Sequence, residues 1–151
     1  MASTIGYILD TNILIRLIRN DALGKSIDAA YNLRASLASS MICVVTVGEI
    51  RAFARKIGWG KKKLDELQKI VDELVWIDIN RSEVIDAYSE IDYYSEKVTK
   101  PANPIGQNDM WIAAVARASG ATLLTTDKDF DHLHKGNYVH RIWIDPSATT
   151  P

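Results

Sequence analysis

Short apolar segments rich in β-branched residues alternate along this chain with longer segments of helical periodicity. Four short segments have the length and composition of buried strands, and residues 141–144 fit a further strand at a sheet edge. The four segments are residues 5–9, 41–45, 75–79 and 121–125. Strands that alternate with helices form βαβ units, in which helices cover both faces of a parallel sheet. The alternation therefore predicts a three-layer α/β/α domain whose central, mainly parallel sheet has about four to five strands.

Helical patterns occupy the intervals between these strands. One begins just after Asp10-Thr11-Asn12, and the others cover residues 22–38, 46–58, 61–74, 82–98 and 108–119. Asn80 or Ser82 is expected to cap the long helix that follows the third strand. Two prolines make residues 99–106 a loop, and a short helix is expected after Asp127.

Length and composition restrict the class of protein. The chain has 151 residues, of which 47% are apolar and 25% charged, and these values are ordinary for one globular domain. We expect a domain at residues 1–145 and a polar tail at 146–151. The single cysteine, Cys43, excludes an internal disulfide, and no segment resembles a membrane span or a signal peptide, so a cytoplasmic protein is expected. Because the net charge is −1, nucleic-acid binding would require a local basic patch.

Carboxylates follow the predicted strands at the edge of the sheet where ligands bind in open α/β folds. These acids are Asp10, Glu49, Asp109, Asp127 and Asp129. Each has a structural alternative, since an acid favours a helix N-terminus and Thr46-x-x-Glu49 fits a capping box. Several carboxylates at one edge, however, repel one another and need protons or a cation. Oxygen ligands of this kind suit Mg²⁺ or Mn²⁺, which assist phosphodiester hydrolysis.

Four segments together resemble the PIN domain family, and most closely the VapC-type ribonuclease toxins of toxin–antitoxin pairs. In chain order they are Ile8-Leu9-Asp10-Thr11-Asn12, Thr46-Val47-Gly48-Glu49-Ile50, Gln107-Asn108-Asp109-Met110-Trp111-Ile112-Ala113-Ala114 and Leu124-Thr125-Thr126-Asp127-Lys128-Asp129-Phe130. The resemblance implies a Mg²⁺- or Mn²⁺-dependent endoribonuclease that cleaves single-stranded or looped RNA. It also implies a cognate antitoxin that inhibits the enzyme, and a homodimer.

The resemblance also implies roles for individual residues. Asp10, Asp109 and Asp127 are expected to ligate the metal, and Glu49 to ligate it directly or through water while orienting the attacking water. Auxiliary roles are expected for a further acid and for neighbouring hydroxyl and amide side chains, which would hold carboxylates or a phosphate. These auxiliary residues are Asp129, Thr11, Thr126, Asn12 and Asn108.

Residues 51–63 form a basic stretch without an acid, which begins two positions after Glu49. Its cations could contact RNA phosphates, and the main candidates are Arg51, Arg55, Lys56 and Lys61. A solvated helix face, or a surface for an acidic partner, explains the same pattern. The aromatic residues Trp59, Tyr93 and Tyr94 are expected to pack in the core or in an interface, and the three histidines to lie on the surface.

Two other functions fit part of the pattern. A phosphohydrolase resembling the haloacid dehalogenases would use Asp10 as its nucleophile, but it expects a second Asp where this chain has Asn12. A PIN fold without catalytic activity could instead bind RNA, although such a protein would be expected to lose acids that this chain retains.

Overall fold

The computed structural model describes residues 6–148, and its centre is a sheet of five parallel strands in the order β3-β2-β1-β4-β5. The strands are β1 (Tyr7–Leu9), β2 (Met41–Cys43), β3 (Val75–Ile77), β4 (Thr122–Thr125) and β5 (Arg141–Trp143). Ile8 of the central strand lies opposite Met41 on one side and Leu123 on the other. All four strand pairs are parallel, so the predicted sheet is confirmed.

Helices cover both faces of the sheet, as predicted. They are α1 (Thr11–Arg19), α2 (Ala22–Tyr31), α3 (Val44–Ile57), α4 (Lys61–Glu73), α5 (Ser82–Tyr93), α6 (Gln107–Ser119) and α7 (Asp131–Lys135). The sheet has one hydrophobic core on each face. Consecutive residues of a strand belong to different cores, because successive side chains point to opposite faces. Leu9 packs with α1 to α4, whereas Ile8 packs with α5 to α7. The three-layer α/β/α architecture is therefore confirmed.

The direction of the chain reverses at the central strand. From β1 it proceeds outward to β2 and β3, and it then returns through α5 and α6 to β4 on the other side of β1. In open α/β sheets, ligands bind at such a point, beyond the carboxyl ends of the strands. Asp10 follows β1 there, and Asp127 follows β4 after one intervening residue.

The strands β2 and β3 both end earlier than predicted. The apolar run at 41–45 ends as a strand at Cys43, because Val44 and Val45 begin α3 despite their β-branched side chains. Cys43 keeps an extended backbone and is the N-cap of that helix. The alternating segment at 75–79 is a strand only over Val75–Ile77. Tertiary packing thus overrides the β propensity of the remaining residues.

Two predicted helices are interrupted. The segment at 22–38 is divided at Asn32, which adopts a left-handed backbone with φ of 53°, and residues Arg34–Ser39 then form a 3₁₀ helix. Asparagine tolerates this conformation better than most residues. The long helix changes at Tyr94–Val98 into a π-helical segment. Its N-cap is Arg81, and neither Asn80 nor Ser82 occupies that position, contrary to expectation.

Two predictions concern residues at the ends of the chain, outside residues 6–148. Ile5, which was assigned to the first strand, and residues 149–151 of the predicted tail lie outside the described residues. The division into a domain at 1–145 and a tail at 146–151 stays a prediction. Within residues 6–148, no helix combines the length and apolar character needed to cross a membrane.

Candidate functional site

Asp10 lies where β1 ends and is the N-cap of α1. Its side chain is 4% exposed, and both carboxylate oxygens accept hydrogen bonds. Oδ1 accepts from the Thr11 backbone N–H at 2.8 Å, and Oδ2 accepts from the Thr125 hydroxyl at 2.6 Å. Burial raises the pKa of Asp10 to about 6, although these hydrogen bonds oppose the rise; the charges of Asp127 and Glu49 add to it. The site therefore contains an acid that is costly to ionise.

Thr125 joins two of the predicted site segments. It is the last residue of β4, and its hydroxyl accepts the Asp127 backbone N–H at 2.9 Å while it donates to Asp10. Thr125 was not among the predicted site residues, whereas its neighbour Thr126 was predicted to hold a carboxylate or a phosphate. The Thr126 backbone carbonyl accepts a hydrogen bond from Trp143. The overlooked signal was a hydroxyl at the end of a buried strand, two residues before an acid.

Three acids lie closest together. Asp109, Asp127 and Asp129 each have a carboxylate oxygen within 4.8 Å of the others. Burial raises the pKa of Asp109 to about 7, with further contributions from Asp10, Asp127 and other nearby acids. Burial and the charge of Asp127 also raise the pKa of Asp129. Sequence reasoning gave Asp129 only an auxiliary role, whereas the geometry gives it a central position.

Glu49 is held by two other site segments. Its Oε1 accepts a hydrogen bond from the Thr11 hydroxyl at 2.9 Å, and its Oε2 accepts one from the Asn108 side-chain amide at 3.2 Å. The charge of Glu49 contributes to the raised pKa values of Asp10 and Asp109. The structure thus brings the five predicted acids together at one edge of the sheet.

Asn12 differs from its expected role. It was predicted to fix a carboxylate, but among residues 6–148 its side chain has no hydrogen bond to an acid. It lies instead on the wall of a surface groove beside Asp127. It is the second residue of α1 and is exposed, whereas Asp10 is buried.

Helix capping accounts for only part of the acidic cluster. Asp10 caps α1, and Asp127 caps a 3₁₀ helix at Lys128–Phe130, where it accepts the backbone N–H of Asp129 at 2.9 Å. Asp109, however, lies inside the first turn of α6, whose N-cap is Gly106.

The proposed capping box is likewise wrong. Thr46 is the third residue of α3, the N-cap is Cys43, and the buried Thr46 hydroxyl has no hydrogen-bond partner within residues 6–148. Glu49 and Asp109 are therefore placed at this edge for reasons other than capping.

The donor set fits a divalent cation. Asp109, Asp127 and Asp129 offer only oxygen ligands, the type that Mg²⁺ and Mn²⁺ prefer. Burial, followed by the charges of Asp10, Asp127 and Glu49, raises the pKa of Asp109 to about 7, so repulsion among the carboxylates supplies part of this rise. A bound cation would offset that repulsion.

Of the predicted RNA-binding cations, Lys56 shares a surface depression with an acid of the site. It lines a depression of about 440 Å³ together with Glu49 and Asn108. Arg51 points elsewhere, toward Gln68 at 3.4 Å and the ring of Trp76 at 6.0 Å.

The other two cations do not line this depression. Arg55 is exposed and follows Gly48 by two helical turns, which places both on one face of α3. Lys61 pairs with Asp65 at 2.9 Å on α4.

The aromatic residues mostly pack within the protein. Trp59 packs edge-on against Phe53, and Tyr94 stacks on Tyr138, with ring centroids 5.6 and 4.2 Å apart. Tyr93, in contrast, is 64% exposed and does not belong to the core.

One of the three histidines departs from the expected surface position. His132 is half-buried, and its Nε2 lies 2.8 Å from the Ser95 hydroxyl. Burial lowers the pKa of His132. His134 and His140 are exposed, as expected.

Solved structures of other proteins share this fold. A chain in the crystal structure of VapBC2 from Rickettsia felis, bound to a promoter DNA fragment, is 25% identical, with a TM-score of 0.65 over 92% of this chain and 98% of that chain. A chain in DNA-bound VapBC from Salmonella typhimurium is 19% identical, with a TM-score of 0.70 and the same coverage. VapBC-5 from Mycobacterium tuberculosis, a member of the VapBC family of toxin-antitoxin systems, is 19% identical, with a TM-score of 0.62 over 93% and 99%.

No curated protein matches this chain. The family model described as PIN domain matches residues 7–136, which include all five acids of the site. This chain therefore belongs to the PIN domain family.

Proposed function

We propose that this protein is a metal-dependent endoribonuclease that hydrolyses phosphodiester bonds in single-stranded or looped RNA. The observation that carries the proposal is the convergence of Asp109, Asp127 and Asp129 within 4.8 Å, beside Asp10 and Glu49, in a PIN domain. A structural role alone does not explain that convergence, since the repulsion among these acids raises pKa values and opposes folding.

Asp109, Asp127 and Asp129 would hold a Mg²⁺ or Mn²⁺ ion. Asp10 would face the ion with the lone pairs that its two hydrogen bonds leave free. When bound, the ion would polarise water and offset charge that develops on the phosphate. Asp10 is fixed at both oxygens, so it contributes a carboxylate of defined orientation and little conformational freedom.

Glu49 would position the attacking water. Thr11 and Asn108 each donate to one of its carboxylate oxygens, which fixes the rotamer, while further lone pairs remain to accept a hydrogen bond from water. Lys56 lines the same depression as Glu49 and would contact a phosphate of the RNA. Arg55 lies on the same helix face and would add charge along that side.

We further propose that the protein is the toxin of a toxin–antitoxin pair. Similar chains occur in VapBC assemblies, one of which is a member of the VapBC family of toxin-antitoxin systems. A cognate antitoxin would then inhibit the enzyme by covering the acids, in the cytoplasm, where RNA is accessible. A homodimer is proposed on the same family basis.

Cleavage of RNA by the purified protein tests the proposal. We expect products with Mg²⁺ or Mn²⁺ and none with EDTA. Asp109→Asn should lose cleavage while circular dichroism shows an unchanged fold. Lys135→Gln, an exposed substitution at the end of α7, is the control and should cleave normally. RNA binding without cleavage in either metal would instead favour a PIN module that binds RNA.

Expression in bacterial cells tests the toxin role separately. Induction of the wild-type protein should arrest growth, and Asp109→Asn should not. Co-expression of the antitoxin, sought in the neighbouring open reading frame, should restore growth and yield a complex on purification. An active ribonuclease that leaves growth unaffected would contradict the toxin role.

A further inference from the structure

A second surface depression, separate from the one that contains Lys56, also borders the acids. This groove, of about 420 Å³, is bounded by the exposed side of α1 and by the segment after β4. Its wall includes three cations, Arg16, Arg19 and Lys128, and one carboxylate, Asp127. We call it the Arg19–Lys128 groove. Its cations do not belong to the basic stretch at 51–63, which contributes only Phe53 to the wall.

Two of these cations form no ion pair within the described residues 6–148. Arg16 forms an ion pair with Asp21 at 2.8 Å, whereas neither Arg19 nor Lys128 forms an ion pair with any acid among residues 6–148. Their charges are therefore available to an anionic ligand. A ligand would not first have to displace an internal carboxylate.

Aromatic rings support both cations at the groove. The Arg19 guanidinium carbon lies 5.5 Å from the centroid of the Phe53 ring, and the Lys128 Nζ lies 4.8 Å from that of the Trp143 ring. Such cation–π contacts hold a cation in place without neutralising it. Phe53 also packs edge-on against Trp59, so the ring that supports Arg19 is itself held in place. The groove is thus partly preorganised to bind anions.

The groove is continuous with the acidic site. Asp127 belongs both to the cluster of three acids and to the groove wall. The depression that contains Lys56 includes another acid of the site, Glu49. A polyanionic strand that occupied both depressions would therefore contact both Asp127 and Glu49. Cations in both depressions would attract such a strand, which the acids alone would repel.

We infer that the Arg19–Lys128 groove binds backbone phosphates of a single-stranded RNA on one side of the bond to be cut. The identity of the strand rests on the proposed ribonuclease function. Arg19 and Lys128 each contact a phosphate, and Lys56 contacts the strand in the other depression. RNA fits better than an acidic protein segment because the groove borders the hydrolytic site and a second cationic depression borders it too.

The test measures binding of a fluorescein-labelled single-stranded RNA of mixed sequence by fluorescence anisotropy at several salt concentrations. The parent protein is Asp109→Asn in Mg²⁺, in which cleavage should not interfere. The test variant adds Arg19→Gln and Lys128→Gln, which keep long side chains. The control adds Lys69→Gln and Lys135→Gln, two exposed cations on α4 and at the end of α7.

We expect the test variant to bind RNA about tenfold more weakly near physiological salt. The slope of log affinity against log salt should become shallower by about 1.4, since each phosphate contact on a single strand contributes about 0.7. The control should keep the affinity and slope of the parent. Test and control variants that bind alike, or a parent that does not bind RNA, would overturn the inference.

Labelled poly-glutamate distinguishes an acidic protein segment from RNA. If the two groove substitutions abolish poly-glutamate binding and leave RNA binding unchanged, the groove serves a protein partner and the inference is wrong. The experiment is also independent of nuclease activity. A wild-type protein that cleaves no RNA, combined with RNA binding that depends on Arg19 and Lys128, would refute the proposed function and support the groove assignment.

Discussion

The hydroxyl of Thr125 donates a hydrogen bond of 2.6 Å to the Oδ2 of Asp10, although the two residues are 115 positions apart in the sequence. The same hydroxyl accepts the backbone N–H of Asp127 at 2.9 Å. Since the hydroxyl has one hydrogen to donate, its direction is fixed: it accepts from Asp127 and donates to Asp10. One side chain therefore orients a buried acid and the start of the segment that carries two further acids.

Replacing Thr125 by valine should weaken both the fold and the site. The substitution keeps the shape but leaves a buried carboxylate oxygen of Asp10 and the Asp127 N–H without this partner, which should lower the free energy of unfolding by about 2 kcal/mol. Because the lost hydrogen bond lowers the pKa of Asp10, that pKa should rise further. Urea denaturation and carboxyl NMR titration measure the two effects. Thr125→Ser, which retains the hydroxyl, is the control, and equal stability of the two variants would contradict this account.

Asp109→Asn should stabilise the metal-free protein. The pKa of Asp109 is raised to about 7 by burial and neighbouring acids, so its ionised form opposes folding at neutral pH. Its side chain accepts no hydrogen bond among residues 6–148, and the amide therefore removes repulsion without removing a contact. We expect a gain of about 2 kcal/mol at neutral pH in EDTA.

Asp10→Asn is the contrasting variant. Because both the Thr11 N–H and the Thr125 hydroxyl donate to Asp10, the amide nitrogen of asparagine would face either that N–H or a hydroxyl that must turn its hydrogen away in order to accept. This variant should gain less stability than Asp109→Asn, or lose stability. Urea denaturation of both variants measures the difference, and the opposite order of stability would contradict the geometry described for Asp10.

The advantage of Asp109→Asn should depend on pH. The folded-state pKa of Asp109, about 7, exceeds the ordinary value of 3.8. Between these pH values the folded protein holds the Asp109 proton more tightly than the unfolded chain does. The wild-type free energy of unfolding therefore falls as pH rises through this range. The stability difference between variant and wild type should therefore be small near pH 4 and should grow toward pH 7.5. Urea denaturation at several pH values in EDTA measures it; a difference independent of pH would argue against a raised pKa.

Divalent metal should raise the melting temperature of the wild-type protein. A metal ion that binds only the folded state, at a concentration ten times its dissociation constant, adds about 1.4 kcal/mol to the free energy of unfolding. This corresponds to a rise in melting temperature of roughly 3–6 °C for a chain of this size. Differential scanning fluorimetry with millimolar Mg²⁺ or Mn²⁺, compared with EDTA, measures the shift. Asp127→Asn should reduce it, and Asp65→Asn, an exposed acid on α4 outside the site, should not. Equal shifts in these two variants would place the metal elsewhere.

Lys56→Gln should raise the KM for RNA cleavage about three- to tenfold, because it removes a charge from the depression that contains Glu49. Lys61→Gln provides a matched comparison. Lys61 belongs to the same basic stretch but is 88% exposed and paired with Asp65, so its loss should change KM by less than about twofold. Steady-state kinetics at fixed salt measure both. A larger effect from Lys61 would mean that RNA follows α4 and not the depression beside Glu49.

The sequence by itself determined the layers and the content of the site. Helical and strand periodicities predicted the parallel sheet with its helices, because burial on one or two faces imposes a repeat that is readable along the chain. The acids after the strands predicted where charge would accumulate, and four motifs in order indicated the family that the comparison confirms. Boundaries were less accurate where tertiary packing decided them, as at Val44 and Val45, two strand-forming residues that begin a helix.

Only the tertiary structure decided how the site residues relate to one another. Asp129 joins the central cluster, Thr125 holds Asp10, and Asn12 lines a groove beside Asp127 without a hydrogen bond to an acid among residues 6–148. The arrangement of cations was decided in the same way, since Arg19 and Lys128 are distant in sequence and Lys61 is near Glu49 in sequence but not in the site. The physical reason is that hydrogen bonds and charge interactions act over a few ångströms in space. A periodic pattern predicts which face of a helix or strand is buried. It does not predict which side chains of different helices and strands meet where those elements end.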